Sequence, residues 1–145
     1  MRLEDLRVGM ELPNREHSPG PRELVLFASG SGDYNEIHYD SGAAKAAGLD
    51  GVIVHGRLKA AYLTKFVLDC VTPAPRLRSF KVRFSGTDLV SEPMTLGGAV
   101  RAMASLEDDP LKYEVVVDLW IKDRSGKPTT SATATLIVDK GVTHP

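Results

Sequence analysis

His55-Gly56-Arg57-Leu58-Lys59-Ala60-Ala61-Tyr62-Leu63-Thr64-Lys65-Phe66-Val67-Leu68-Asp69-Cys70-Val71 reads as one long helix. Apolar side chains fall on nearly every side of it, from Leu58, Ala60 and Ala61 to Leu68, Cys70 and Val71. A helix that is apolar all round belongs inside a protein rather than on its surface. Pro73 and Pro75 forbid its continuation, since proline lacks the amide hydrogen that the next turn needs.

Beyond the prolines the apolar period changes to two. Phe80, Val82 and Phe84 alternate with Ser79, Lys81 and Arg83; Met94, Leu96 and Val100 follow in a glycine-interrupted segment. Tyr113, Val115, Val117, Leu119 and Ile121 make the cleanest strand, and Ala132, Ala134, Leu136 and Val138 face one way in the last. Asp123-Arg124-Ser125-Gly126-Lys127-Pro128 between them is a hairpin-turn signal.

Upstream, Val8-Gly9-Met10-Glu11-Leu12-Pro13 suggests a short strand or an extended arm. His17-Ser18-Pro19-Gly20-Pro21 is a turn, and Pro21 starts a helix through Ala28 that Gly30 and Gly32 end. Asp40 or Ser41 caps a short helix from Gly42 to Ala47, closed by Gly48. Helices first and strands afterwards imply an α+β fold. A single domain over residues 1–145, with an antiparallel sheet wrapped around one long central helix, is the simplest packing of these parts.

The chain has 18 basic and 19 acidic residues, a balance that argues against general nucleic-acid or membrane-surface binding. Its one cysteine, Cys70, permits neither an intrachain disulfide nor a cysteine metal cage, and reads as a buried small hydrophobe. The charged start Met1-Arg2-Leu3-Glu4-Asp5-Leu6 is unlike a secretory signal, and no apolar run is long enough to span a membrane. The expected location is the cytoplasm.

Ser31-Gly32-Asp33-Tyr34-Asn35-Glu36-Ile37-His38-Tyr39-Asp40 sets a carboxylate and an imidazole five residues apart. On a helix that spacing sends them to different faces, so the pair needs a turn, which Gly30 and Gly32 allow. In a turn Asp33 and His38 can converge on one water, take its proton and return it. Such acid–base help is worth ~10²–10⁴ in rate. Asn35 can fix the turn by an Asx-type hydrogen bond. The competing reading is local: a turn aspartate and a satisfied core histidine.

At His55-Gly56 the first amides of the long helix have no intrahelical acceptor, and the helix dipole favours negative charge there. A thioester carbonyl gaining enolate character would be stabilised at that spot. Against this stands a plain helix start with a capping histidine. An acid, a base and a helix N-terminus are together the parts that add water to, or remove it from, an activated double bond.

Other chemistries lack their residues. His17 and His144 stand apart, no H-x-x-x-H or H-E-x-x-H occurs, and no metal site is expected. No G-x-S-x-G, phosphate loop or dinucleotide fingerprint occurs either. Arg76, Arg78, Lys81 and Arg83 read as a solvated strand face, or alternatively as contacts for the phosphates of an acyl carrier such as coenzyme A.

The segment Ser31 to Asp40, the alanine-rich Ala43 to Gly48 and Ile53-Val54-His55-Gly56, in this order and spacing, resemble the MaoC-like hydratase/dehydratase family, which includes (R)-specific enoyl-CoA hydratases. The resemblance covers most of the chain. It implies a hot-dog fold with His55–Val71 as the central helix. It also implies catalytic acid/base roles for Asp33 and His38 and a thioester-carbonyl contact at the Gly56 amide; Asn35 and His55, by their places in the turn and at the helix start, are expected in supporting roles. Two residues depart from the pattern: Glu36 stands where the family usually has proline, and Arg57 where methionine or proline is usual.

The expected activity is a hydro-lyase that interconverts a 2-enoyl thioester and water with a 3-hydroxyacyl thioester. No cofactor is expected beyond the coenzyme A or acyl carrier protein that bears the substrate. The expected partners are that acyl thioester and a second subunit, in a homodimer or a heteromer with a related hot-dog chain. The alternatives are a non-catalytic acyl-binding subunit of a heteromeric dehydratase and a hot-dog thioesterase.

Overall fold

Alternation in the second half of the chain builds the sheet. The computed structural model describes residues 1–72 and 75–140. Its strands are β1 (Arg15–His17), β2 (Arg76–Phe84), β3 (Met94–Ser105), β4 (Lys112–Lys122) and β5 (Pro128–Asp139). They lie in the order β1-β3-β4-β5-β2 and every pairing is antiparallel. Val115, Val117, Leu119 and Ile121 of β4 and Ala134, Leu136 and Val138 of β5 are buried on one face. Burying each Val, Leu or Ile contributes about 1.5–3 kcal/mol. A one-residue slip would turn the whole set outward, so the register is strongly specified. Gly98 of β3 is needed for closeness: a Cβ there would stand 2.7 Å from Leu119 Cδ2 and 2.9 Å from the Asp118 carbonyl.

The helices are α1 (Pro21–Ser31), α2 (Ser41–Ala46) and α3 (Gly56–Cys70). α3 lies against β2, β3, β4 and β5, and its Leu63, Phe66 and Val67 enter the same buried cluster as the inward residues of the sheet. This is an α+β architecture with the sheet packed on one long helix. α3 is not apolar all round, however. Arg57, Ala61, Lys65 and Asp69 form an exposed stripe at four-residue spacing, where Lys65 and Asp69 pair at 3.1 Å. The helix ends at Cys70, which is half-buried rather than buried. Pro73, expected to stop it, lies outside the described residues, as does His144.

The N-terminal arm runs along β3: the Gly9 amide donates to the Val100 carbonyl at 2.8 Å and the Leu12 amide to the Gly98 carbonyl at 2.8 Å. Arg15–His17, read partly as a turn, instead pairs with β3 as its outer strand. α1 runs three residues past Ala28, because Gly30 stays helical and Gly32 alone, at φ 73°, ends it. Asp40 caps α2 by accepting from the Ala43 amide at 2.6 Å.

Candidate active site

Local capping places the first functional residues. Gly32 turns the chain off α1, and the Asn35 side chain accepts from the Ile37 amide at 3.3 Å to start a single 3₁₀ turn, Glu36–His38. His38 is thereby buried against the segment that leads into α3. Its Nδ1 lies 2.8 Å from the Ile53 carbonyl, and the Ile53 amide donates to the Ile37 carbonyl at 3.2 Å. A carbonyl only accepts, so Nδ1 carries a proton, and in the neutral ring the lone pair is on Nε2.

His55 precedes the first residue of α3 but does not cap it with its side chain. Its Nε2–H donates instead to the Asp33 carbonyl at 3.2 Å, and its ring stacks on His38 with centroids 3.8 Å apart. The buried Nδ1 of His55 has no partner among the described residues. Burial, foremost, pushes the His55 pKa below its ordinary value; the hydrogen bond to Asp33 opposes this, and the neighbouring His38 adds to it.

One carboxylate oxygen of Asp33 and one ring nitrogen each of His38 and His55 lie within 4.8 Å of one another. The two imidazoles also face a cavity of about 250 Å³ whose other walls are Leu24, Val25 and Ala28 of α1, with Tyr34 and Tyr39. Asp33 and Gly56 do not line it. A Cβ on Gly56 would meet the Phe84 ring at 3.5 Å, so an aromatic side chain covers that flank of the helix start. Among the described residues no acceptor takes the Gly56 amide hydrogen. Glu36 and Arg57 are both exposed.

By donor type Asp33, His38 and His55 could hold a cation. The two rings are inclined by only 21°, and with the His55 Nε2–H engaged on the Asp33 carbonyl the lone pair left to His55 is on its buried Nδ1.

Residues 7–117 match the family model described as the MaoC like domain. The chain belongs to this family. Solved structures share its architecture. The MaoC-like dehydratase from Rhodospirillum rubrum gives a TM-score of 0.83 at 20% identity, over 96% of this chain and 97% of that one. The (R)-hydratase from A. caviae involved in PHA biosynthesis gives 0.80 at 22% identity, over 93% and 98%. These likenesses establish the hot-dog fold. The fatty acid synthase subunit beta of Aspergillus oryzae is 38% identical over 79 residues, which are 52% of this MaoC-like chain and 4% of that protein.

Two buried charged residues of this MaoC-like domain escaped the sequence reading: Lys59, 2% exposed, and Asp88, 5% exposed. A signal existed for Lys59. It stands four residues before Leu63 and seven before Phe66, on the stripe that faces the sheet.

Proposed function

We propose that this chain is a hydro-lyase that interconverts a 2-enoyl thioester and water with a 3-hydroxyacyl thioester. The observation that carries the reading is the convergence of the Asp33 carboxylate and the His38 and His55 rings within 4.8 Å, beside a largely apolar cavity. Membership of the MaoC-like family supports it.

In this reading the lone pair on His38 Nε2 takes a proton from a water that Asp33 orients. The water oxygen bonds to the β-carbon, and the double-bond electrons move to the α-carbon and the thioester oxygen. The Gly56 amide and the dipole of α3 stabilise the charge on that oxygen. The imidazolium, held beside the Asp33 carboxylate, then gives its proton to the α-carbon. The product has gained one water and the site is restored; reversal gives dehydration. The balance needs no oxidant or reductant. The acyl group arrives on coenzyme A or acyl carrier protein.

A second copy of the chain, or a related hot-dog subunit, completes the assembly in this reading. Its support is β2, an edge strand of the sheet with exposed Leu77, Val82 and Phe84.

The test follows crotonyl-CoA and longer enoyl-CoAs by loss of the conjugated thioester absorbance. Asp33→Asn and His38→Ala are expected to lose about 10²–10⁴ in rate. Near-normal turnover by both variants removes the assignment. Thiol release in place of hydration would favour a thioesterase.

A further inference from the structure

α3 carries a charge on its buried face. Lys59, one turn beyond Gly56, points its Nζ at the Asp88 carboxylate at 2.7 Å and the Gly86 carbonyl at 2.9 Å. The same Asp88 oxygen accepts from the Thr129 hydroxyl at 2.7 Å. The backbone of Asp88 is engaged too: its carbonyl accepts from the Val54 amide at 2.9 Å, while the Val90 amide donates to the Val52 carbonyl at 3.0 Å. Asp88 therefore grips the segment that delivers His55 and, through Lys59, the first turn of the helix that presents the Gly56 amide.

A buried ion pair is an indirect way to gain stability. Desolvation offsets much of the attraction, and well-packed apolar replacements are often as stable. What the pair supplies here is direction. Holding Nζ on the Asp88 carboxylate and the Gly86 carbonyl together limits how far the first turn of α3 can shift or rotate relative to the loop 85–91.

We propose that the buried Lys59–Asp88 pair is a positioning device that fixes the Gly56 amide and the His55 ring against the Asp33–His38 turn. The consequence for turnover rests on the hydro-lyase reading; the consequence for local order does not.

The experiment uses the full chain with Lys59 and Asp88 replaced together, Lys59→Met with Asp88→Leu, so that no lone charge is buried. The melting temperature is expected to stay within about 5 °C, as for other apolar replacements of ion pairs. The kcat on crotonyl-CoA falls by about ten- to a hundredfold, the usual scale for small misplacement of reacting groups, with KM changed less than about threefold. Independently of activity, ¹⁵N order parameters of the His55 and Gly56 amides fall from about 0.85 toward 0.6, while those of Leu63–Val67 hold. Unchanged order at His55 and Gly56, or kcat within about threefold of the parent where rigid positioning predicts far more, overturns the inference. If the double variant does not fold, Thr129→Val decides. It removes one donor from Asp88 and leaves both charges; the chain should still fold, at a lower melting temperature, and order at His55 and Gly56 should fall while that of Leu63–Val67 holds; no such loss of order overturns the inference. A parent protein that hydrates no enoyl thioester sinks the functional reading alone, because the order parameters still decide this one.

Discussion

The imidazoles of His38 and His55 stack with centroids 3.8 Å apart and planes inclined by 21°. Two protonated rings at that distance would repel, so charging both at once is disfavoured. His55 is the ring held back from charging. It is 1% exposed, and its burial, above all, pulls its pKa down.

That shift fixes a pH dependence. The unfolded chain protonates His55 near its ordinary value of 6.5, and the folded chain only at lower pH. Below pH 6.5 the unfolded state therefore binds more protons, and stability falls as pH drops toward the lowered folded value. Above pH 6.5 this contribution is fully present and flat. Urea unfolding from pH 5 to 7.5 should show a smaller acid loss in His55→Gln than in the parent. Equal slopes would mean that His55 titrates normally in the fold.

Gly56→Pro tests the amide hydrogen directly, because proline has none. Proline is favoured at the first helical position. His55, at φ −56° and ψ 132°, already has the conformation a following proline requires, and the added Cβ meets Phe84 only at ordinary contact distance, 3.5 Å. The variant should melt near the parent temperature. It should lose about 10²–10³ in kcat, the usual cost of one oxyanion donor. Parent-like turnover would remove Gly56 from the mechanism.

Tyr62 tests the anchoring of α1, which forms one wall of the cavity. Its hydroxyl donates to Glu23 at 2.6 Å, and His17 stands 3.0 Å from the same carboxylate oxygen. Burial raises the Glu23 pKa, but the Tyr62 and His17 hydrogen bonds outweigh it and leave the net shift downward. Stability from Glu23 is thus present above its unfolded value of 4.5 and lost as pH falls through the lowered folded one. Tyr62→Phe should cost about 1.5–3 kcal/mol at pH 7 and less at pH 3, as read by denaturant titration. An equal cost at both pH values would remove Glu23 as the partner that matters.

The β2 edge is tested by size. Apart from Phe80 every residue of this strand is exposed, and a long exposed edge with apolar side chains invites pairing. Light scattering is expected to give twice the 15.7 kDa chain mass. Leu77→Asp with Val82→Asp should return it to a monomer. A parent that is already monomeric at micromolar concentration contradicts a second copy on this edge.

β4 and β5 were legible in the chain because period two needs no information beyond near neighbours. Alternate residues from Val115 to Ile121 and from Ala132 to Val138 face inward wherever a core is available. Capping is equally local: Asp40 on Ala43, Asn35 on Ile37, Gly32 beyond Ala28. The motif around Asp33, His38, His55 and Gly56 was visible as residue types at a spacing.

Its geometry was not. The ring stack joins positions 17 residues apart in the chain, and Lys59 meets Asp88 across 29 residues. Phe84 covers Gly56 from the far end of β2. Even the exposed stripe of α3 at Arg57, Ala61, Lys65 and Asp69 depended on which side the sheet took. Periodicity and caps act within about four residues along the chain. Stacking, ion pairing and burial act through space, between segments that only folding brings together.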